Sequence, residues 1–392
     1  MLVGLTVLCG TSESTAADDC AASAVRIEKQ CVPVAEAVEA IRGIVLDALD
    51  RDHLRSAIVA VQVDGRPLIK AAWGESLTGV PARTDMHFRN GAIAISYLGV
   101  LLLQLRDEGL VTLDDKLSRW FPDYPNADRI TLQMLANSTS GYEDYVPFLP
   151  LEDDVFRHWK ADELVHIAFS KPVVCEPGTC FHYSHVNFVI LGSVLEKVTG
   201  LPLDELLRRR VIEPLGLRGT VSEATALIQE PVLHAYTNER GVYEDSSYWD
   251  PSWTIAPGAV MTTDITDALA SAVALGSGSL LSDASHRTQL APITATLPPF
   301  ASPPMNGKTY YGFGIVVSNS WVFQTPSFSG YSAAILYLPP RRIAIAVTST
   351  NGPEKTDGSQ AAIDASQRRS QEIAGAIANY LAPDVRPLLP GQ

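Results

Sequence analysis

The run from Ile93 to Leu105 carries no charged side chain, and the first charge after it is Arg106. A helix on a protein surface keeps a polar stripe, and this segment has none worth the name. It is also short of the roughly 18–20 apolar residues needed to cross a bilayer. It therefore reads as a helix, residues 92–107, buried at an interface between two parts of the molecule. Such a helix needs packed material on all sides. A chain of 392 residues supplies it, as two lobes or one large α/β domain.

The flanking sequence indicates what surrounds the helix. From about Pro33 to Arg55 the apolar spacing is helical, and Ala57–Val63 and Leu68–Trp73 are strand-like. Between those strands Asp64-Gly65-Arg66-Pro67 is a hairpin signature. Near the other end Tyr311–Ser318, Tyr331–Leu338 and Arg342–Thr348 are rich in β-branched and aromatic residues, and a helix is expected from about Ala361 to Leu381. The expected class is α+β: a five-stranded antiparallel sheet flanked by helices, with a mostly helical second lobe. Residues 31–91 and 305–392 would build the sheet lobe, and residues 92–304 the helical one. Residues 1–30 read as a signal segment and linker, because Met1 to Cys9 is apolar and small residues follow at Thr15-Ala16-Ala17, although no basic residue precedes them.

Composition narrows the partners. The formal charge of −14, with Lys and Arg forming no basic footprint, argues against nucleic acid. The absence of a long apolar run argues against a transmembrane segment. Beyond Cys9, four cysteines form two local pairs, Cys20 with Cys31 and Cys175 with Cys180, which suits disulfides and a secreted or extracytoplasmic location. No Cys-x-x-Cys or His-Glu-x-x-His pattern is present, so no metal and no other cofactor is expected. The sequence leaves the oligomeric state open.

Several short motifs then occur in a telling order. Phe88-Arg89-Asn90-Gly91 leads into the buried helix, Gln104-Leu105-Arg106-Asp107-Glu108-Gly109 ends it, and Leu113-Asp114-Asp115 and Trp120-Phe121-Pro122 follow. Next come Ile130-Thr131 to Thr139-Ser140-Gly141, then Pro177-Gly178-Thr179-Cys180-Phe181-His182-Tyr183-Ser184, the stretch Trp253 to Met261 with Asp264, and Tyr311-Gly312-Phe313-Gly314. Together they resemble the superfamily of serine β-lactamases, DD-peptidases and penicillin-binding-protein-like esterases over roughly residues 55 to 350. The resemblance implies that family's fold. It implies no activity, since fold and function separate readily.

The family's reactive elements are missing or altered. Its S-x-x-K motif carries an acylated Ser and an activating Lys one helical turn on. Those positions are here Ala92 and Ile95, and no Ser in the chain is followed by Lys three residues later. Ser96 lies one residue beyond the Lys position and reads as a hydroxyl bonded to the preceding turn. The Y-x-N motif reads Tyr183-Ser184-His185, which keeps the phenol and replaces the amide by an imidazole able to act as acid or base. The K-T-G or H-x-G strand reads Gln324-Thr325-Pro326, without the cation or the glycine. Lys355-Thr356-Asp357 lies after the last strand and is set aside.

These residues imply a protein that keeps a ligand cleft after losing its nucleophile. The expected ligand is a small acyl-like, peptide-like or natural-product molecule contacted by Ala92, Ile95, Trp249, Gln324 and Thr325. Tyr183 and His185 are the candidate catalytic pair, for non-covalent cyclisation, elimination or isomerisation. The alternative is amide or ester hydrolysis by an unconventional nucleophile. His182 alternates with Tyr183 and is expected to face away from the site, while Trp249, Asp250 and Trp253 are placed either at a pocket edge or in the core.

Overall fold

Strands buried on both faces must be apolar at nearly every position, and the middle of this sheet follows that rule. In the strand Ile343–Asn351, Ile343, Ile345 and Val347 face one core while Ala344 and Ala346 face another. Tyr331–Leu338 divides in the same way, with Ala334, Leu336 and Leu338 on the first side and Ala333, Ile335 and Tyr337 on the second. The first core is closed by the helices Val34–Arg51 and Arg369–Leu381. Asp52, beyond the first of these, pairs with Arg369 at 2.9 Å and ties the two together. Helix Ile265–Ser277 lies on the opposite face, where the second core continues into the helical lobe.

A computed structural model describes residues 20–151, 153–298, 307–353 and 365–389. The apolar segment Met1 to Cys9, Lys355-Thr356-Asp357 and the expected start of the last helix at Ala361 lie outside the described residues. The sheet is antiparallel, in the order Thr309–Tyr311, Val316–Ser318, Trp321–Gln324, Tyr331–Leu338, Ile343–Asn351, Leu54–Val63, Arg66–Leu77 and Val80–Pro81, with Ser327–Phe328 added beside Tyr331–Leu338. It is thus larger than the five strands expected. Tyr311–Ser318 is two strands, because Gly312-Phe313-Gly314 turns the chain and Gly314 adopts a φ of +66°. The expected hairpin is present: Asp64 and Gly65 both have positive φ and join strands in register from Val63 and Arg66.

Both cysteine pairs are bonded. Cys20–Cys31 closes the small hairpin Ala24–Ile27 and Gln30–Pro33 against the N-terminal helix, and Cys175–Cys180 clips the loop before Tyr183. The densest basic run, Arg208-Arg209-Arg210, is matched by Glu205, Glu213 and Glu108. Among the described residues no single helix is long and apolar enough to cross a membrane.

The uncharged run forms helix Ile93–Asp107, with 12 of its residues buried. Its backbone comes close to the Gly312–Gly314 turn. A Cβ on Gly99 would lie 2.3 Å from the Phe313 carbonyl oxygen, and one on Gly314 would lie 2.5 Å from that of Ile95. Neither carbonyl can retreat without moving an entire element. Gly99→Ala is therefore expected to cost about 1–3 kcal/mol by overpacking. A urea midpoint unchanged from wild type would show that this contact relaxes freely.

Candidate functional site

The buried helix begins at a cavity of about 1160 Å³ between the two lobes. Gly91, Ala92 and Ile95 form its floor, and Tyr183 and His185 one wall. Gln324, Thr325 and Pro326 form the sheet side, and Val146, Pro147 and Leu149 come from a loop on the helical side. Six of the seven residues singled out from the sequence for catalysis or ligand contact therefore meet at one place. Trp249 does not line this cavity. It is packed into the core and borders a much smaller hollow alongside, while Trp253, four residues on, faces the main space and stacks on Phe328 at 5.8 Å.

Ala92 sits at the helix N-terminus with φ −62° and ψ −7°, preceded by Gly91 at φ +54°. Its methyl group offers the cavity neither a nucleophile nor a proton. Ile95, one turn on, is 2% exposed and is apolar where an activating amine would stand. Ser96 points away from the cavity floor. Its hydroxyl donates to the Gly314 carbonyl at 2.6 Å, so it bridges to the returning strands and is not bonded to its own preceding turn. The expected intrahelical bond loses because the incoming Gly314 carbonyl lies within reach of the hydroxyl.

The sheet side is equally altered. Gln324 ends the strand Trp321–Gln324, and its amide Nε2 donates to Ser96 Oγ at 3.1 Å and to the Gly314 carbonyl. This buried side chain is committed to holding the sheet on the helix. Pro326 has no N–H to offer a ligand and packs on Gly91, where an added Cβ would meet the proline ring at 2.6 Å.

Tyr183 and His185 are presented by a loop that is fixed from behind. His182 N–H donates to the Ser138 carbonyl at 3.0 Å, and Ser140 Oγ donates to Asn187 Oδ1 at 2.5 Å. His182 itself pairs with Glu143 at 3.0 Å and does not line the cavity. His185 opens helix His185–Thr199, and its ring meets that of Tyr183 edge-on with centroids 5.1 Å apart. Burial and the nearby Asp144 carboxylate push the Tyr183 phenol far up, so it stays protonated at neutral pH.

Asp144 is the residue behind His185 that sequence reasoning missed. Its Oδ2 lies 2.9 Å from His185 Nδ1, and its Oδ1 accepts the His185 backbone N–H at 3.2 Å. A carboxylate only accepts, so Nδ1 carries the hydrogen of this contact. Burial alone would raise the Asp144 pKa, but the His185 charge and its two hydrogen bonds hold it below the usual carboxylate range. The two residues are 41 apart in sequence, and no motif spacing links them. The available signal was an acidic pair, Glu143-Asp144, two residues beyond the Thr139-Ser140-Gly141 turn.

Sheet, buried helix and inter-lobe cavity define an α+β protein of the serine β-lactamase and DD-peptidase class. The chain belongs to the β-lactamase family, whose pattern matches residues 41–368. It is 30% identical over 220 residues to penicillin-binding protein 4 of Amycolatopsis lactamdurans, covering 54% of this chain and 55% of that protein. Against penicillin-binding protein 4* of Bacillus subtilis it is 24% identical over 307 residues, 73% of this chain and 65% of the relative. The chain thus spans between half and two thirds of the length of these relatives. Its fold is similar to the D-amino acid amidase of Ochrobactrum anthropi SV3 complexed with L-phenylalanine, with a TM-score of 0.74, 24% identity, and coverage of 88% of this chain and 99% of the amidase.

The Asp144–His185 contact has a measurable pH signature. Folding lowers the Asp144 pKa, so its contribution is complete above the ordinary value near ~4 and is lost as pH falls through the folded value. Asp144→Asn is expected to cost about 1–3 kcal/mol at pH 7. In urea unfolding that deficit should shrink by about pH 3. An equal deficit at both pH values would assign it to packing instead of charge.

Proposed function

We propose that this chain is a non-hydrolytic descendant of the β-lactamase family that binds a small acyl-like, peptide-like or natural-product ligand in the former active-site cleft. Within that cleft Tyr183 and His185 perform non-covalent acid/base chemistry such as cyclisation, elimination or isomerisation. The observation that carries the reading is the juxtaposition at one cavity of an inert helix entrance, Ala92 and Ile95, with a phenol and an imidazole. Neither the Tyr183 hydroxyl nor His185 Nε2 has a hydrogen-bond partner among the described residues, so both remain available to a ligand.

The proton accounting is simple. His185 Nε2 takes a proton from a ligand carbon or heteroatom, and the imidazolium that forms is stabilised by the Asp144 carboxylate. Tyr183 gives its phenolic proton to the oxygen or leaving group on which charge develops. Transfer between the two groups through solvent or product restores the starting state. No covalent bond to the protein forms at any point.

Hydrolysis by an unconventional nucleophile has less support. Thr254 and Ser329 reach the cavity wall, but their hydroxyls donate to the Pro251 carbonyl and to Glu239. Loss of the catalytic Ser alone costs on the order of 10⁶ in rate in subtilisin. A secreted or extracytoplasmic location is part of the proposal and is supported by the two disulfides.

General-base capacity can be tested before the ligand is known, with 5-nitrobenzisoxazole, whose ring opens when a base removes one carbon-bound proton. Wild type is expected to accelerate the opening. His185→Ala should lose about 10²-fold or more, and Tyr183→Phe a smaller factor, with unchanged circular dichroism. If both folded variants match wild type, the pair does no acid/base work and the cavity is a binding site alone.

A further inference from the structure

We infer that the cavity is built for an uncharged, largely apolar molecule and rejects the carboxylate-bearing ligands that a cation in the third motif would hold. The inference rests on the cleft being the ligand site, and it concerns what enters, not what happens there.

Neither the third-motif side chain nor the arginine in the wall is free to anchor a carboxylate. Gln324 stands where the sequence comparison places a cation, and its amide N–H groups go to Ser96 and Gly314. Pro326 removes a backbone donor from the same edge. Arg89 is the cationic side chain in the wall besides the titratable His185, and it is 4% exposed. Its guanidinium donates to the carbonyls of Leu227 at 3.2 Å, Ser247 at 3.1 Å and Ala226, beneath the Phe328 ring. Of its two remaining N–H groups, the one on Nε is buried without a partner.

The fixed charge at the cavity does not favour an anion either. Against Arg89 stand Asp153 and Glu239 in the wall, with Asp144 behind His185. Asp153 is exposed at the mouth and stays solvated, and Glu239 accepts from Ser329 Oγ at 3.0 Å, so neither is aimed as a deep ammonium receptor. Beyond Tyr183 and His185, an anion taken into this space would lose hydration and meet no uncommitted cation among the described residues, which costs several-fold to many-fold in affinity. What remains is apolar wall: Trp253 stacked on Phe328, with Phe181 and Tyr311 facing each other at 5.3 Å. The volume admits a ligand of two or more rings.

Three matched probes separate the cases by isothermal titration calorimetry at pH 8: 2-naphthylacetamide, 2-naphthylacetate and 2-(2-naphthyl)ethylammonium. The neutral amide is expected to bind at least about tenfold more tightly than either ion. Gln324→Lys, which returns a cation to the wall, should improve binding of the acetate by about tenfold relative to the amide. Equal or tighter binding of the acetate by wild type overturns the inference, as does tighter binding of the ammonium or no binding of the amide. The wild-type ranking decides the matter even if the lysine variant does not fold. Because binding is read without turnover, this selectivity and the acid/base activity can fail independently.

Discussion

The backbone of helix Ile93–Asp107 and the turn at Gly312–Gly314 touch with no side chains between them, and Gly99 and Gly314 make that approach sterically accessible. Ser96 and Gln324 then fasten the contact by sharing the Gly314 carbonyl. This junction joins the sheet to the helical lobe through the molecule's centre. It fixes the height of Ala92 relative to the strand edge at Gln324-Thr325-Pro326, and so it fixes the cavity. In a close-packed interior such a contact cannot loosen by degrees, so the cleft is a consequence of the fold's own packing.

The same junction accounts for a cleft that persists beside Ala92 and Ile95. An activating Lys and a strand cation are buried charges, and each needs partners to offset lost hydration. With Ile95 and Gln324 in those places, the charges are gone and the positions serve cohesion: Ile95 joins the core and Gln324 bridges strand to helix. On the other wall charge has been arranged instead. Asp144 orients His185 from behind, and burial keeps Tyr183 protonated. The cavity thus sets Ala92 and Ile95 opposite a phenol and an imidazole backed by a carboxylate.

Much of this was legible in the sequence, for identifiable reasons. The buried helix follows from an uncharged run, the Asp64-Gly65 hairpin from turn chemistry, and both disulfides from local cysteine pairing. Ala92, Ile95, Tyr183, His185, Gln324 and Thr325 meet because ordered motifs carry their spatial relation with them. What escaped lacks a local signal. Trp321–Gln324 and Ser327–Phe328 are too short to show alternation, and Asp144 meets His185 only through tertiary folding. Trp249 and Trp253 look alike at spacing four, yet one is core and the other cavity wall, and only the packing around them separates the two.

The central claim is that acyl-serine chemistry has been removed while the cleft remains, and intact-mass spectrometry tests it most directly. The folded protein would be exposed to a penicillin and, separately, to an activated ester. The account predicts an unchanged mass with both, since Ala92 cannot be acylated and the hydroxyls of Thr254 and Ser329 are engaged. A stoichiometric adduct would contradict it, and peptide mapping would then locate a nucleophile outside Tyr183 and His185 or expose one of those two as covalent.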